Sequence, residues 1–211
     1  MNDPADRPYH HGNLREALVQ AGVELAREGG PDAVQLRAAT RAAGVSHNAA
    51  YRHFADRDEL LAAVSARCMA SLAELMERGI RGVRKRDPVA AAEARLNAIG
   101  RAYVGFATAE PGWFRTAFGL PRDHVGYSDA DAAGPSGLSP YELLSARLDE
   151  LVEVGLISAQ RRPGLEFGAW SAVHGLAALL VDGPLRTLGP TERDFALSVV
   201  LDVVGRGLPD R

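Results

Sequence analysis

Apolar residues recur along this chain every three to four positions, the repeat of one helical face, and no stretch alternates with the period of two that marks a strand. Leu14, Leu18, Gly22, Leu25 and Ala26 predict a first helix that Gly29-Gly30-Pro31 stops. A short second helix is expected over 33–43, ended by Gly44, and a third from Ser46 to about His53. From Asp56 to about Arg84 a long helix places Leu60, Leu61, Val64, Cys68, Leu72 and Leu75 on one face. Asp87-Pro88 reads as an N-cap with proline at the first helical position, opening a helix to about Thr108, and Pro111 opens a short one through Phe118. Residues 119–138, rich in Gly, Pro, Asp, Ser and Ala, lack periodicity and are expected to form a mobile loop. Ser139-Pro140 restarts order, with Glu142 spaced for a capping box. Helices at 163–181 and 191–206 complete an all-α chain of about nine helices.

At 211 residues, with 46% hydrophobic and 24% charged side chains, the chain is long enough to bury a sizeable core. Its net charge of −3 argues against a protein that coats nucleic acid indiscriminately, so any such binding needs a local basic patch. The single cysteine, Cys68, rules out an internal disulfide and fits a reducing compartment. Residues 1–13 are polar, with no signal-peptide run, and no segment reaches the length of a membrane span. A cytoplasmic protein without membrane contact is expected.

A local basic patch does exist. Residues 33–55 hold Arg37, Arg41, Arg52, His47 and His53 and no acid. The same segment joins two short helices through Gly44, which accepts the positive φ of a tight turn, with Val45 placed between them and Ser46 able to cap the second. From Leu14 to Leu61, the Gly-Gly end of the first helix, Leu36-Arg37, Ala43-Gly44-Val45-Ser46, Tyr51-x-His53-Phe54 and Arg57-Asp58-Glu59-Leu60-Leu61 together resemble the N-terminal domain of the tetracycline-repressor (TetR) family. Tyr9-His10-His11-Gly12-Asn13-Leu14-Arg15 and Trp170-x-x-x-His174-Gly175 further resemble the branch named for its Trp-His-Gly signature.

The resemblance implies a flexible arm at 1–12, a DNA-binding domain at 13–56 and a ligand-sensing, dimerising domain at 57–211. It implies that His47 and Asn48 face base edges, that Arg37 reaches a base or phosphate, that Tyr51 and His53 contact phosphate with Arg57 beside the backbone, and that Phe54 is core. Ser46 directs the N–H groups of its helix toward a phosphate. Two departures stand out. Gln35 occupies a position where relatives carry Ser or Thr, and Ala49-Ala50 leaves few side chains for direct readout. The expected partners are double-stranded operator DNA, a second copy of the chain and a small-molecule effector. The implied activity is ligand-responsive repression.

In the second half Tyr103, Phe106, Trp113, Phe114, Phe118, Trp170 and His174 gather aromatic rings with a few polar handles, suited to a small, largely apolar effector or to a packed core. The resemblance implies that 163–181 and 191–206 pair with a second copy across a two-fold axis, through the small-residue face of the first (Gly168, Ala172, Gly175, Ala178) and the apolar stripe of the second (Phe195, Val199, Val203, Val204); by themselves the two stripes equally suit packing within one subunit. No phosphate loop, zinc helix or nucleophile elbow is present, and no cofactor, catalytic residue or metal site is expected, His10-His11 reading as solvated. An enzyme and a nonspecific architectural DNA binder are the alternatives.

Overall fold

The computed structural model describes residues 14–119 and 130–208. Among these residues nine α-helices and no strand are found: α1 (Leu14–Ala33), α2 (Leu36–Ala42), α3 (His47–Ala50), α4 (Arg57–Gly82), α5 (Pro88–Ala109), α6 (Pro111–Phe118), α7 (Pro140–Glu153), α8 (Leu165–Val181) and α9 (Pro190–Gly207).

Local chemistry sets most helix starts. Asp56 and Asp87 accept the N–H groups of Glu59 and Ala90 at 2.9 and 2.8 Å, and Pro88 occupies the first turn where its missing N–H costs nothing. Ser139 and Glu142 close the predicted capping box, with Ser139 Oγ accepting from the Glu142 N–H and the Glu142 carboxylate accepting from the Ser139 N–H. Gly30, at φ 67°, breaks α1 where the Gly-Gly-Pro sequence foretold a stop, and Ala33 ends the extra turn beyond it.

The long α4 is the spine, packed against α1, α5, α6 and α7. Its buried face includes Leu60, Leu61, Val64, Cys68 and Leu72, as the periodicity predicts. Gly22 of α1 faces Val64 so closely that a Cβ would stand 2.5 Å from a Val64 methyl carbon, so the two helices cross backbone to side chain. One apolar core runs from Leu14 and Phe54 through Leu72 and Tyr103 to Leu201, joining the first helices to the last. Burial pushes the Cys68 thiol up to about 12, which leaves it an inert core residue.

The expectation of a mobile loop at 119–138 is corrected over its second half, 120–129 lying outside the described residues. Ala130–Ala132 form a 3-10 turn with Ala132 buried, and the turn from Gly134 to Gly137 sits on α4. The cause is Glu77, a buried carboxylate of α4 that accepts from both the N–H and the Oγ of Ser136 at 3.0 and 2.8 Å. A Cβ at Gly134 would lie 2.6 Å from Glu77 Oε1, so glycine is needed for the approach.

Candidate nucleic-acid interface and internal cavity

The helix-turn-helix forms as the residues require. Gly44 turns the chain at φ 68°, its N–H donating to the Arg41 carbonyl, while Val45 donates to Thr40 at 3.0 Å. Ser46 Oγ accepts the Ala49 N–H at 3.3 Å and starts α3. Gln35 begins α2 without a side-chain cap, its amide turning back to the Asp32 carbonyl, in keeping with the weak capping its side chain predicts. Val34, Leu36, Ala39, Ala50 and Phe54 are buried beneath, and the Arg15 guanidinium lies 5.2 Å from the Phe54 ring centre.

Asn48, Arg37 and Ser46 are exposed, Tyr51 is 51% exposed, and His53 is half-buried. His47 does not stand alone: its ring packs edge-on to Tyr51 at 4.7 Å, with Nδ1 buried and lacking a partner among the described residues. Ala50 is fully buried, which withdraws it from any readout. Arg41 and Arg52, outside the residue set the resemblance singles out, are exposed and pair with no acid among the described residues. Arg57 has another task. Its Nε and Nη2 donate to the Val34 and Pro31 carbonyls at 3.0 and 2.7 Å, and Asp58 and Asp32 lie beside it, so the guanidinium ties the end of α1 to α4 instead of standing free for a phosphate.

The second half holds a narrow cavity of about 60 Å³ walled by α4, α5, α7, α8 and α9 and by Phe118 of α6, with Ala132 beside them. Of the aromatic residues that the sequence groups, Tyr103, Phe118 and Trp170 line it. Phe114 and His174, expected in the lining as well, instead stand behind these rings and do not border the cavity. His174 Nδ1 is 2.7 Å from Tyr103 Oη, and Trp170 Nε1 donates to the same oxygen at 3.2 Å. Burial pushes the His174 imidazole below its ordinary 6.5, so the ring stays neutral.

Phe106 and Trp113 are corrections to the expected lining. They pack together away from the cavity, where the Trp113 indole donates to the Val23 carbonyl at 2.9 Å and the Arg27 guanidinium sits 4.2 Å from the Trp113 ring centre. They join α6 to α1. The cavity also draws on residues the aromatic grouping omits: Met69 and Met76 of α4, Tyr141 and Leu144 of α7, and Val204 of α9. Met69 and Met76, seven apart on one helix, were the available signal.

Two sequence models match this chain, the tetracyclin repressor-like C-terminal domain over residues 96–204 and the bacterial regulatory proteins of the tetR family over residues 18–64. The chain belongs to the TetR family. TetR-family regulators act by binding DNA and not by catalysis. The helix-turn-helix and the helical second half are accordingly the two characteristic parts of a TetR-family transcription regulator.

A protein of unknown function from Rhodococcus sp. RHA1 is 28% identical, with a TM-score of 0.74 over 97% of this chain and 100% of its own. The regulator FadR from Bacillus subtilis, solved in complex with stearoyl-CoA, shares the fold at 15% identity and a TM-score of 0.67, covering 92% of this chain and 98% of its own. A TetR variant from Acinetobacter baumannii AYE, solved in complex with minocycline, does so at 18% identity and 0.61, covering 91% and 94%. No curated protein matches the chain. Among the described residues of this TetR-family member no helix is long and apolar enough to cross a membrane, and no three His, Cys, Asp or Glu side chains are grouped to hold a metal. His10, His11 and the arm at 1–12 lie outside the described residues.

Proposed function

We propose that this protein is a cytoplasmic repressor that binds a palindromic operator as a homodimer and is released when a small, largely apolar effector enters the cavity. The observation that carries the DNA-binding reading is the Ser46-capped helix of a Gly44 turn, with exposed Asn48 and Tyr51 and, around it, Arg37, Arg41 and Arg52, which pair with no acid among the described residues. An acidic protein has concentrated its positive potential on the face that fits a major groove. His47 and Asn48 read bases, Asn48 having the amide that pairs with adenine; Arg37, Ser46, Tyr51 and His53 hold phosphates; Arg57 orients the fourth helix against this unit.

Residues 13–56 form the DNA-binding domain and 57–211 the sensing and dimerising one. The effector-bound complexes of FadR and of the TetR variant support reading the cavity of this chain as an effector site. Phe167 and Leu179 on α8 and Phe195, Val199 and Val203 on α9 are exposed, which supports pairing of these helices across a two-fold axis.

Selection of duplexes from a random library followed by competition tests this reading. A regulator prefers its site over random duplex by at least about three orders of magnitude. Equal affinity for both would return the architectural alternative. Within the selected site Asn48→Ala should relax preference at particular positions, whereas Arg41→Ala should weaken all duplexes alike and lower the salt slope by about one.

A further inference from the structure

We propose that the cavity admits uncharged, hydrocarbon-rich effectors and rejects anionic ones. The inference rests on the effector-site reading and adds to it the chemistry of the ligand. Met69, Met76, Leu96, Leu144, Val173 and Leu201 supply apolar wall from four helices and from the neighbouring α7, and no Asp, Glu, Lys, Arg or His among the described residues lines it.

The polar side chains that reach the wall are all uncharged: Ser139, Tyr103, Tyr141 and the exposed amide of Asn97. Ser139 caps α7, and Tyr103 Oη is shared by His174 and Trp170. The buried charges nearby are carboxylates, Glu77 and Glu166, each already joined to an arginine, Arg81 at 3.1 Å and Arg162 at 2.8 Å. Among the described residues no cation therefore faces inward to receive an anion, and an unpaired carboxylate does not keep its charge when buried. A hydrocarbon incurs no such penalty. Met69 and Met76 adapt to its shape through flexible thioether chains, and both belong to α4, the helix that Arg57 fastens to the helix-turn-helix, so widening the cavity bears directly on α4.

Calorimetric titration of the full chain at pH 7 with two matched pairs, decanoate with its methyl ester and naphthoate with its methyl ester, isolates the charge. At least one ester should bind, on the order of 100-fold tighter than its carboxylate, because an acid of ordinary pKa is only about 0.3% neutral at pH 7. Ala169→Leu and Val204→Phe fill the cavity from α8 and α9. Each variant that keeps a cooperative melting transition should lose at least about tenfold in ester affinity. Carboxylates binding as tightly as esters, neither ester binding, or both variants retaining the parent affinity overturns the proposal. Duplex selection on the same preparation reads the regulator function separately: specific DNA binding with an anion-accepting cavity sinks the ligand chemistry alone.

Discussion

Glu77 and His174 are ionisable side chains set among apolar ones, and they make the protein sensitive to acid in different ranges. Burial raises the Glu77 carboxyl, but the backbone and side-chain hydrogen bonds of Ser136, with Arg81, outweigh it and hold the group below its ordinary 4.5. A depressed carboxyl stabilises the fold fully above its unfolded value, and that contribution is lost as the pH falls through the folded one. His174 is lowered by burial, so the unfolded chain takes up the proton first and stability falls as the pH drops through 6.5. Urea unfolding across this range should show a decline beginning near 6.5 and a second below 4.5. His174→Gln, which keeps an acceptor for Tyr103, should remove the first. Glu77→Ala should cost about 1 kcal/mol at pH 7, the net worth of the hydrogen bonds to exposed Ser136, whose donors water can then satisfy. An unchanged midpoint would show that 134–137 packs without the carboxylate.

Helix α6 is only eight residues long, yet it joins three parts of the molecule. Gly112 lets it lie against α1 so closely that a Cβ would stand 2.2 Å from the Ala26 carbonyl oxygen and 2.4 Å from that of Arg27. Glu110 binds Arg27 at 2.9 Å on the same side, and Arg115 forks onto Asp182 at the end of α8 at 2.6 and 2.9 Å. Gly112→Ala drives carbon into backbone that cannot yield without parting two helices, so a loss of about 3 kcal/mol is expected in thermal or urea unfolding. Arg115→Ala breaks a half-exposed pair and should cost less than about 1 kcal/mol. A mild Gly112→Ala phenotype beside a severe Arg115→Ala one would reverse this ranking of the two contacts. Because α6 touches α1, α4 and α5 and its Phe118 borders the cavity, the same pair of variants also asks whether effector response travels through this helix as well as through α4.

At the scale of the whole molecule, the last helix divides its apolar residues between two uses. Phe195, Val199 and Val203 recur every four positions on the outside, with Phe195 70% exposed, while Val204 turns inward to the cavity. The sequence grouped all four in one stripe, and the structure removes Val204 from it. On α8 Gly168 and Gly175 are exposed with open space where a side chain would be, which lets a partner helix come close. Val199→Asp should bury a charge in the proposed interface and give monomers in sedimentation, with operator affinity falling because one half-site is then held alone. A dimer of unchanged affinity would place the subunit contact on another surface.

What the sequence determined by itself was whatever closes within a few residues. Asp56, Asp87 and Ser139 bond to N–H groups three positions on, and Gly44 turns the chain on its own backbone freedom, so the helix order, their starts and the turn of the DNA-reading unit were legible. The small reading surface was legible too, since Ala49 and Ala50 bring little beyond a methyl group wherever they lie. The tertiary structure decided the rest, because the partners are far away along the chain. Arg57 meets a carbonyl 23 residues back, Ser136 a carboxylate 59 away and Trp113 a carbonyl 90 away. An aromatic ring or a guanidinium looks alike in sequence whether it faces a cavity, a phosphate or a neighbouring helix. Only the packing of α1 against α6, and of 130–138 against α4, turned Trp113 and Phe106 away from the cavity and gave Ala132, Met69 and Met76 a place in its wall.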